Sequence, residues 1–277
     1  MDFHRWSSLF RSYDVTLRHN RLLLVMTLAG AIIGLAIGRG EWRTGVINAA
    51  AIGWVVFLAG ALAKELYPDY PQAALPAAAA ALLLSALVIP PFSIALLWLL
   101  GCSRFLNRTT GLRPKPTDLI ALMAITGWLV WRETPLFGIL IGVMLIMDSA
   151  LSDGNRIHAG IGVVVFLASG AWLIGSDWSA AGPALLLILA LLAIAVSFFP
   201  VILGSYQIQA VGDATGEALN PARVQAGQVF ALSAGLLLAS LYGERGIMVL
   251  TGLWAAIAGC AVAHLLFVRS QLPASSL

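Results

Sequence analysis

The chain reads as an all-α, polytopic integral membrane protein, a bundle of about ten transmembrane helices. Three observations predict this. Of its 277 residues, 60% are hydrophobic and only 10% are charged. Soluble domains carry about 25% charged residues, so this chain lacks the polar surface to cover itself in water. The apolar residues gather in ten runs, and the cations between those runs fall mostly on one side of the implied bundle.

The basic segment 103–118, SRFLNRTTGLRPKPTD, is the long polar run deep inside the chain, and it fixes the orientation. It carries Arg104, Arg108, Arg113 and Lys115 with no acid before Asp118. Short loops rich in Lys and Arg resist translocation, so this loop is expected in the cytoplasm.

Residues 1–21 precede the first apolar run. Phe3, Trp6, Phe10, Tyr13 and Leu17 recur at helical spacing, with Arg5, Arg11, Arg18 and Arg21 among them. That pattern predicts a basic amphipathic helix over 3–18, lying in the cytoplasmic head-group layer and attracted by anionic lipid. The segment is long and aromatic for a signal-peptide leader. No small-x-small site follows Ile37, which predicts an uncleaved anchor.

The transmembrane domain is expected over 22–267, followed by a cytoplasmic tail at 268–277. Its apolar runs are 22–38, 44–63, 73–89, 91–106, 118–131, 135–151, 159–175, 181–203, 222–242 and 246–267. Several fall short of the ~20 residues that span ~30 Å of hydrocarbon, which predicts thinned lipid or helices extended by polar turns. Only Pro90 and Pro91 separate the third run from the fourth, so these two form either a tight hairpin or one broken helix. Thr134 before Pro135, and Asn220 before Pro221, have the form of an N-cap followed by proline in the first turn. Gly38, Gly175 and Gly243 are expected terminators.

With ten spans and both termini inside, twelve Lys and Arg residues fall on the cytoplasmic side. Four fall outside: Arg39, Arg43, Arg132 and Arg245, each near Glu41, Glu133 or Glu244. An error of one span in the first half would set the two halves against each other, so the bias supports the even count. The expected location is the inner, or plasma, membrane. Gly30 and Gly34 (GAIIG), and Gly138 and Gly142 (GILIG), form small-residue faces that pack helices closely. They serve bundle packing or, alternatively, a homodimer. Ten spans also allow two five-helix halves of inverted topology.

The polar residues within the spans are Asn48, Ser85, Thr126, Ser169, Ser197, Ser233 and Thr251, none of them charged. This counts against ion-coupled transport through a midplane carboxylate. The ionisable groups gather instead at the cytoplasmic ends. KELYPDYP holds Lys64 and Glu65, and reads as a capped helix end with a rigid turn or as a seat for a cation. The segment 147–158, MDSALSDGNRIH, holds Asp148, Asp153, Arg156 and His158. Its Asp-Gly pair is not followed by the DxxD, DGxxAR and DxxxD elements of phosphatidyl-alcohol transferases, and the aspartate-rich motifs of prenyltransferases are also missing. The segment 206–228 is polar and glycine-containing, and includes Gln228; it reads as a solvated loop or as a lid over a pocket that His264 helps to close.

Cys102 and Cys260 sit in apolar runs and read as buried small hydrophobes. They offer neither metal-ligand spacing nor a disulfide framework. There is no Walker A, GxSxG, HExxH or CxxC pattern. No metal and no cofactor is expected. Nucleic acid is not expected as a partner, because the basic loop is short and close to the membrane. Its expected partner is anionic lipid, met by Arg5, Arg11, Arg18, Arg104, Arg108, Arg113 and Lys115.

The function these features point to is a carrier for a small neutral, amphipathic or lipid-like molecule, with its polar groups at the cytoplasmic mouth. Glu65, Asp148, Asp153, His158, Gln228 and His264 are the expected substrate-binding residues. Two alternatives stand beside it: a membrane enzyme using Asp148, Asp153 and Glu65 around a divalent cation, and a non-catalytic scaffold subunit. Asp148 anchors the expected site. A carboxylate at the hydrocarbon boundary must gain a partner or a proton, and Lys64, Arg156, His158 and His264 are assigned to the same side.

Overall fold

The computed structural model describes residues 7–9, 11, 13–38, 40–92, 94–176 and 182–271, the side chains of 268–271 excepted. The described residues form helices α1 (Arg18–Ile37), α2 (Trp42–Leu66), α3 (Ala74–Leu87), α4 (Ala95–Asn107), α5 (Pro116–Arg132) and α6 (Leu136–Ala150). These are followed by α7 (Arg156–Gly175), α8 (Leu185–Gly204), α9 (Pro221–Leu241), the short α10 (Gly243–Val249) and α11 (Thr251–Gln271). No strand occurs among them; a single isolated bridge pairs Val211 with Ala218. Each predicted apolar run contains a helix. Five helices are long and apolar enough to cross a membrane: α1, α2, α7, α8 and α9. A sixth is added if α10 and α11 together make one broken span. Helices α3, α4 and α6 are apolar but shorter. The third and fourth runs are two helices, separated by a non-helical stretch after Leu87.

Local chemistry sets the helix ends. Asn220 caps α9, its Oδ1 accepting from the Ala222 and Arg223 amides at 3.0 and 3.4 Å, with Pro221 in the first turn. At α6 the Thr134 hydroxyl accepts from the Leu136 amide at 3.3 Å. Helix α5 opens with Pro116, and Asp118 Oδ2 accepts from the Lys115 amide at 2.9 Å.

The amphipathic helix expected over 3–18 is not found among the described residues, because 7–9, 11 and 13–17 are non-helical and α1 starts at Arg18. Specific polar bonds override the helical periodicity there. The Ser8 amide and hydroxyl donate to Asp118 Oδ2 at 3.0 and 2.6 Å, and Asp14 Oδ1 accepts from both the Thr16 amide and its hydroxyl. Phe3, Arg5, Trp6 and Phe10 lie outside the described residues.

The chain divides into two compact units that interleave in sequence. One contains α4, α5, α6, α7 and α9 with the segment before Tyr13; the other contains α1, α2, α3, α8 and α11. The predicted halves were successive runs of five helices, whereas these units exchange segments along the chain.

In the α4–α9 unit, α4 packs on α5, α6 and α9, and α6 packs on α7. Trp98, Phe137 and Phe230 fill its interior, with the Trp98 indole N–H donating to Thr126 Oγ1 at 2.8 Å. Thr126 itself bonds back to Leu122 O, as small hydroxyls in apolar helices do. In the other unit, α1 lies along α2, and α11 packs on α2, α3 and α8.

Both small-residue faces are consumed by this packing. A Cβ at Gly34 would meet the Ala49 backbone nitrogen of α2 at 2.5 Å, and one at Gly142 would meet the Gly162 carbonyl of α7 at 2.7 Å. These glycines lie against neighbouring helices of the same chain. The bulk of the uncovered apolar surface lies elsewhere, on side chains such as Val164 and Leu167 of α7 and Leu186, Leu189 and Val196 of α8.

Candidate functional site

The polar end of the α4–α9 unit is built where α4 stops, α6 turns into α7, and α9 begins. Helix α6 carries Asp148 two residues before its last residue, with no side-chain surface exposed. Three nitrogen-bearing side chains converge on that carboxylate. Arg223, in the first turn of α9, places Nη1 2.9 Å from Oδ1. Arg108, just past the end of α4, places Nη2 3.3 Å from the same oxygen. His158, in the first turn of α7, holds Nδ1 2.7 Å from Oδ2. A carboxylate accepts, so the Nδ1 position carries the hydrogen and Nε2 faces away from Asp148.

The two arginines are bonded very differently. Every nitrogen of Arg223 has an acceptor: besides Asp148, its Nη1 donates to the Leu106 carbonyl at 3.3 Å, and its Nε and Nη2 donate to the Ser152 carbonyl at 3.1 and 2.6 Å. Asn220 adds a bond from Nδ2 to Ser152 Oγ at 2.8 Å. The 151–155 turn is thereby locked to the start of α9. Arg108 makes two longer bonds, to Asp148 and to the Asp153 carbonyl at 3.2 Å, and its buried Nε makes none. Burial, and next the charge of Arg223, pull the Arg108 guanidinium below its ordinary pKa, with Asp148 opposing.

Two backbone positions of this end are in the left-handed region, Arg108 at φ 52° and Asp153 at φ 60°. For a non-glycine residue that costs about 1 kcal/mol. The Arg108 strain is held by its amide donating to Arg104 O at 2.9 Å and by the Gly111 amide donating to Arg108 O at 2.7 Å. Asp153 carries an exposed carboxylate that pairs with exposed Arg113 at 3.3 Å. The charges therefore form layers, with Arg113 and Asp153 at the rim, Arg108 beneath them, and Asp148, Arg223 and His158 innermost.

A second network pins the segment before Tyr13 to the same end. Thr110 Oγ1 donates to Ser8 O at 2.8 Å and Arg104 Nη1 donates to Leu9 O at 3.1 Å. Arg11 pairs with Asp213, its Nη2 at 2.9 Å from Oδ1. The 206–220 segment is held against the basic loop by the Asp213 and Ala214 amides, which donate to Thr109 O and Thr110 O at 3.2 and 3.0 Å.

The predicted site residues separate accordingly. Asp148 and His158 are hydrogen-bonded, whereas the Asp153 carboxylate pairs with Arg113 at the rim. Gln228 is buried on α9 beyond Arg223. Glu65 and His264 belong to the other unit. There Glu65 is buried at the end of α2, and His264 Nδ1 shares a hydrogen bond with the Tyr67 hydroxyl at 2.9 Å. Burial, then Tyr70 and Asp69, push the Tyr67 phenol up, so it stays protonated. Lys64 bonds to Asn20 Oδ1. Of the four partners expected for Asp148, the structure supplies His158. The other two partners, Arg108 and Arg223, come from the basic loop and from the start of α9.

The two carboxylates that the metal-centred alternative places at this end face nitrogen groups. Asp148 is already engaged by three nitrogen groups and Asp153 turns to Arg113. Among the described residues, no three His, Cys, Asp or Glu side chains gather to hold a metal. The surface reading of the basic residues also changes in part. Arg108 is only 11% exposed, and Arg11 and Arg104 bind within the unit. Arg18 stays exposed at the start of α1, and Arg5 lies outside the described residues. Arg223 was missed because one arginine after an Asn-Pro pair resembles any helix start. The available signal was a lone cation entering an apolar helix of a chain that ends another apolar helix in a lone acid.

No family model, curated protein or solved structure matches the chain.

Proposed function

We propose that the chain is a multi-pass protein of the inner membrane that carries a small amphipathic, lipid-like molecule, recognising its polar part at the Arg108–Asp148–Arg223 end. The observation that carries this reading is the placement of charge in the α4–α9 unit. A buried carboxylate with two guanidiniums and an imidazole sits at one end, beyond helices whose interior is apolar and aromatic. Such an arrangement suits a molecule with one polar end and an apolar body.

Two further features support the membrane setting and its orientation. Trp128 and Trp131 near the end of α5, and Trp172 near the end of α7, are exposed. They lie at the opposite end of the unit from the charged loops, as an interfacial aromatic belt would. At that same end Arg245 pairs with Glu133 at 3.1 Å, so an outward-assigned cation is neutralised. In this reading α1 to α9 and α11 are ten spans with both termini in the cytoplasm. The 13 residues of α4 and 15 of α6 reach only about 20 Å, and their polar turns complete the crossing in thinned lipid.

Reconstitution tests the carrier. Proteoliposomes holding a fluorescent short-chain phospholipid in both leaflets are treated with a membrane-impermeant quencher. The protected inner-leaflet signal is expected to decay faster than in protein-free vesicles; equal decay rejects the reading.

One contact favours a second reading, a membrane enzyme. Asp148 orients the His158 ring as an acid orients a general base. Chromatography of the same vesicles would then show the lipid chemically altered, and the alteration would vanish in His158→Asn. An unaltered lipid rejects it.

A further inference from the structure

Resting on the carrier reading above, the geometry points to a binding site for a phosphate-monoester oxyanion between the guanidiniums of Arg108 and Arg113. Two cations share one oxygen of one buried carboxylate, so Asp148 compensates a single charge while Arg108 and Arg223 bring two. Arg223 has an acceptor at each of its three nitrogens. Arg108 does not: its Nη2 contacts are 3.2 and 3.3 Å long, at the edge of the hydrogen-bond range, and its Nε is buried without an acceptor. Positive charge and donor capacity are therefore left over at a half-buried position, held there by a left-handed backbone.

Arg113 supplies the second fork. Both guanidiniums reach Asp153, Arg108 at its carbonyl and Arg113 at its carboxylate. The Arg113–Asp153 pair is long, and its side chains are 74% and 66% exposed, so it contributes little and opens readily. An oxyanion that displaces the Asp153 carboxylate into solvent meets Arg113 from the rim and Arg108 from below. A phosphate monoester carries nearly two charges and three acceptor oxygens, which matches two guanidinium forks, whereas a carboxylate matches one.

The ligand can be a lipid head group or a free phosphate, and calorimetry on the detergent-solubilised full chain separates them. Dioctanoyl phosphatidic acid, dioctanoyl phosphatidylcholine and inorganic phosphate serve as probes. Phosphatidic acid is expected to bind and phosphatidylcholine is not. Arg113→Ala, an exposed position that leaves the buried cluster intact, is expected to weaken binding about tenfold. Arg108→Lys is expected to weaken it similarly, because an ammonium loses the fork. Inorganic phosphate binding as tightly as phosphatidic acid assigns the site to a free anion, and much weaker binding assigns it to a lipid head group; both support an oxyanion site. No binding by either anion, or binding unchanged in Arg113→Ala, overturns it. Anion binding without lipid movement in vesicles rejects the carrier and keeps the site. Lipid movement without anion binding does the reverse.

Discussion

Arg223 of α9 and Asp148 of α6 meet at 2.9 Å with only 4% of the arginine side chain, and none of the aspartate side chain, exposed. Their pairing joins two helices far apart in the chain and fixes the turn between α6 and α7 through Ser152. Removing one partner of such a pair strands a charge. Arg223→Ala is expected to cost about 3–5 kcal/mol, read as a lowered thermal unfolding midpoint in detergent. Replacing both residues by apolar ones of similar size, Asp148→Leu with Arg223→Met, is expected to recover part of that loss, because no charge is then stranded except that of Arg108. A single variant as stable as the wild type would show that the pair contributes nothing.

Asp118 holds the segment before Tyr13 in place. Its Oδ2 accepts from the Ser8 amide, the Ser8 hydroxyl and the Lys115 amide, and Asp118 is itself buried. Asp118→Ala is expected to cost about 2 kcal/mol and to release the segment. Trypsin added to inside-out vesicles is then expected to cut after Arg11 several times faster than in the wild type. An unchanged rate would mean that the Arg11–Asp213 and Arg104–Leu9 contacts suffice.

The orientation is open to cysteine labelling, and burial decides where the probes belong. Cys102 and Cys260 are buried and stay silent. Thr110 is also buried, bonded to Ser8 O, so it cannot report on the basic loop. Arg113 is exposed and can. Trp42→Cys and Trp131→Cys are expected to react with an impermeant maleimide in sealed cells, and Arg113→Cys only after permeabilisation. Reaction of Arg113→Cys in sealed cells would invert the proposed topology.

The helical class, the ten apolar segments, the Asn220–Pro221 start of α9 and the nearness of His158 to Asp148 were legible in the sequence. Each of these depends on residues close together along the chain: an apolar run, a cap, or a turn of a few residues between two helices. Tertiary structure alone decided the rest. Periodicity predicted a helix before Arg18, but Asp118, over a hundred residues away, offers Ser8 bonds that a helix would forgo. The Gly34 and Gly142 faces suit a second copy or a neighbour in the same chain equally well, and it is tertiary packing that sets them against α2 and α7. Glu65 and His264 shared an assigned side with Asp148, yet they fold into the other unit. Arg223 was an ordinary helix-start cation until α9 came to lie where its guanidinium could reach Asp148. Which charge meets which depends on how helices separated in sequence pack. One-dimensional hydropathy records that each helix is apolar and leaves its neighbour unspecified.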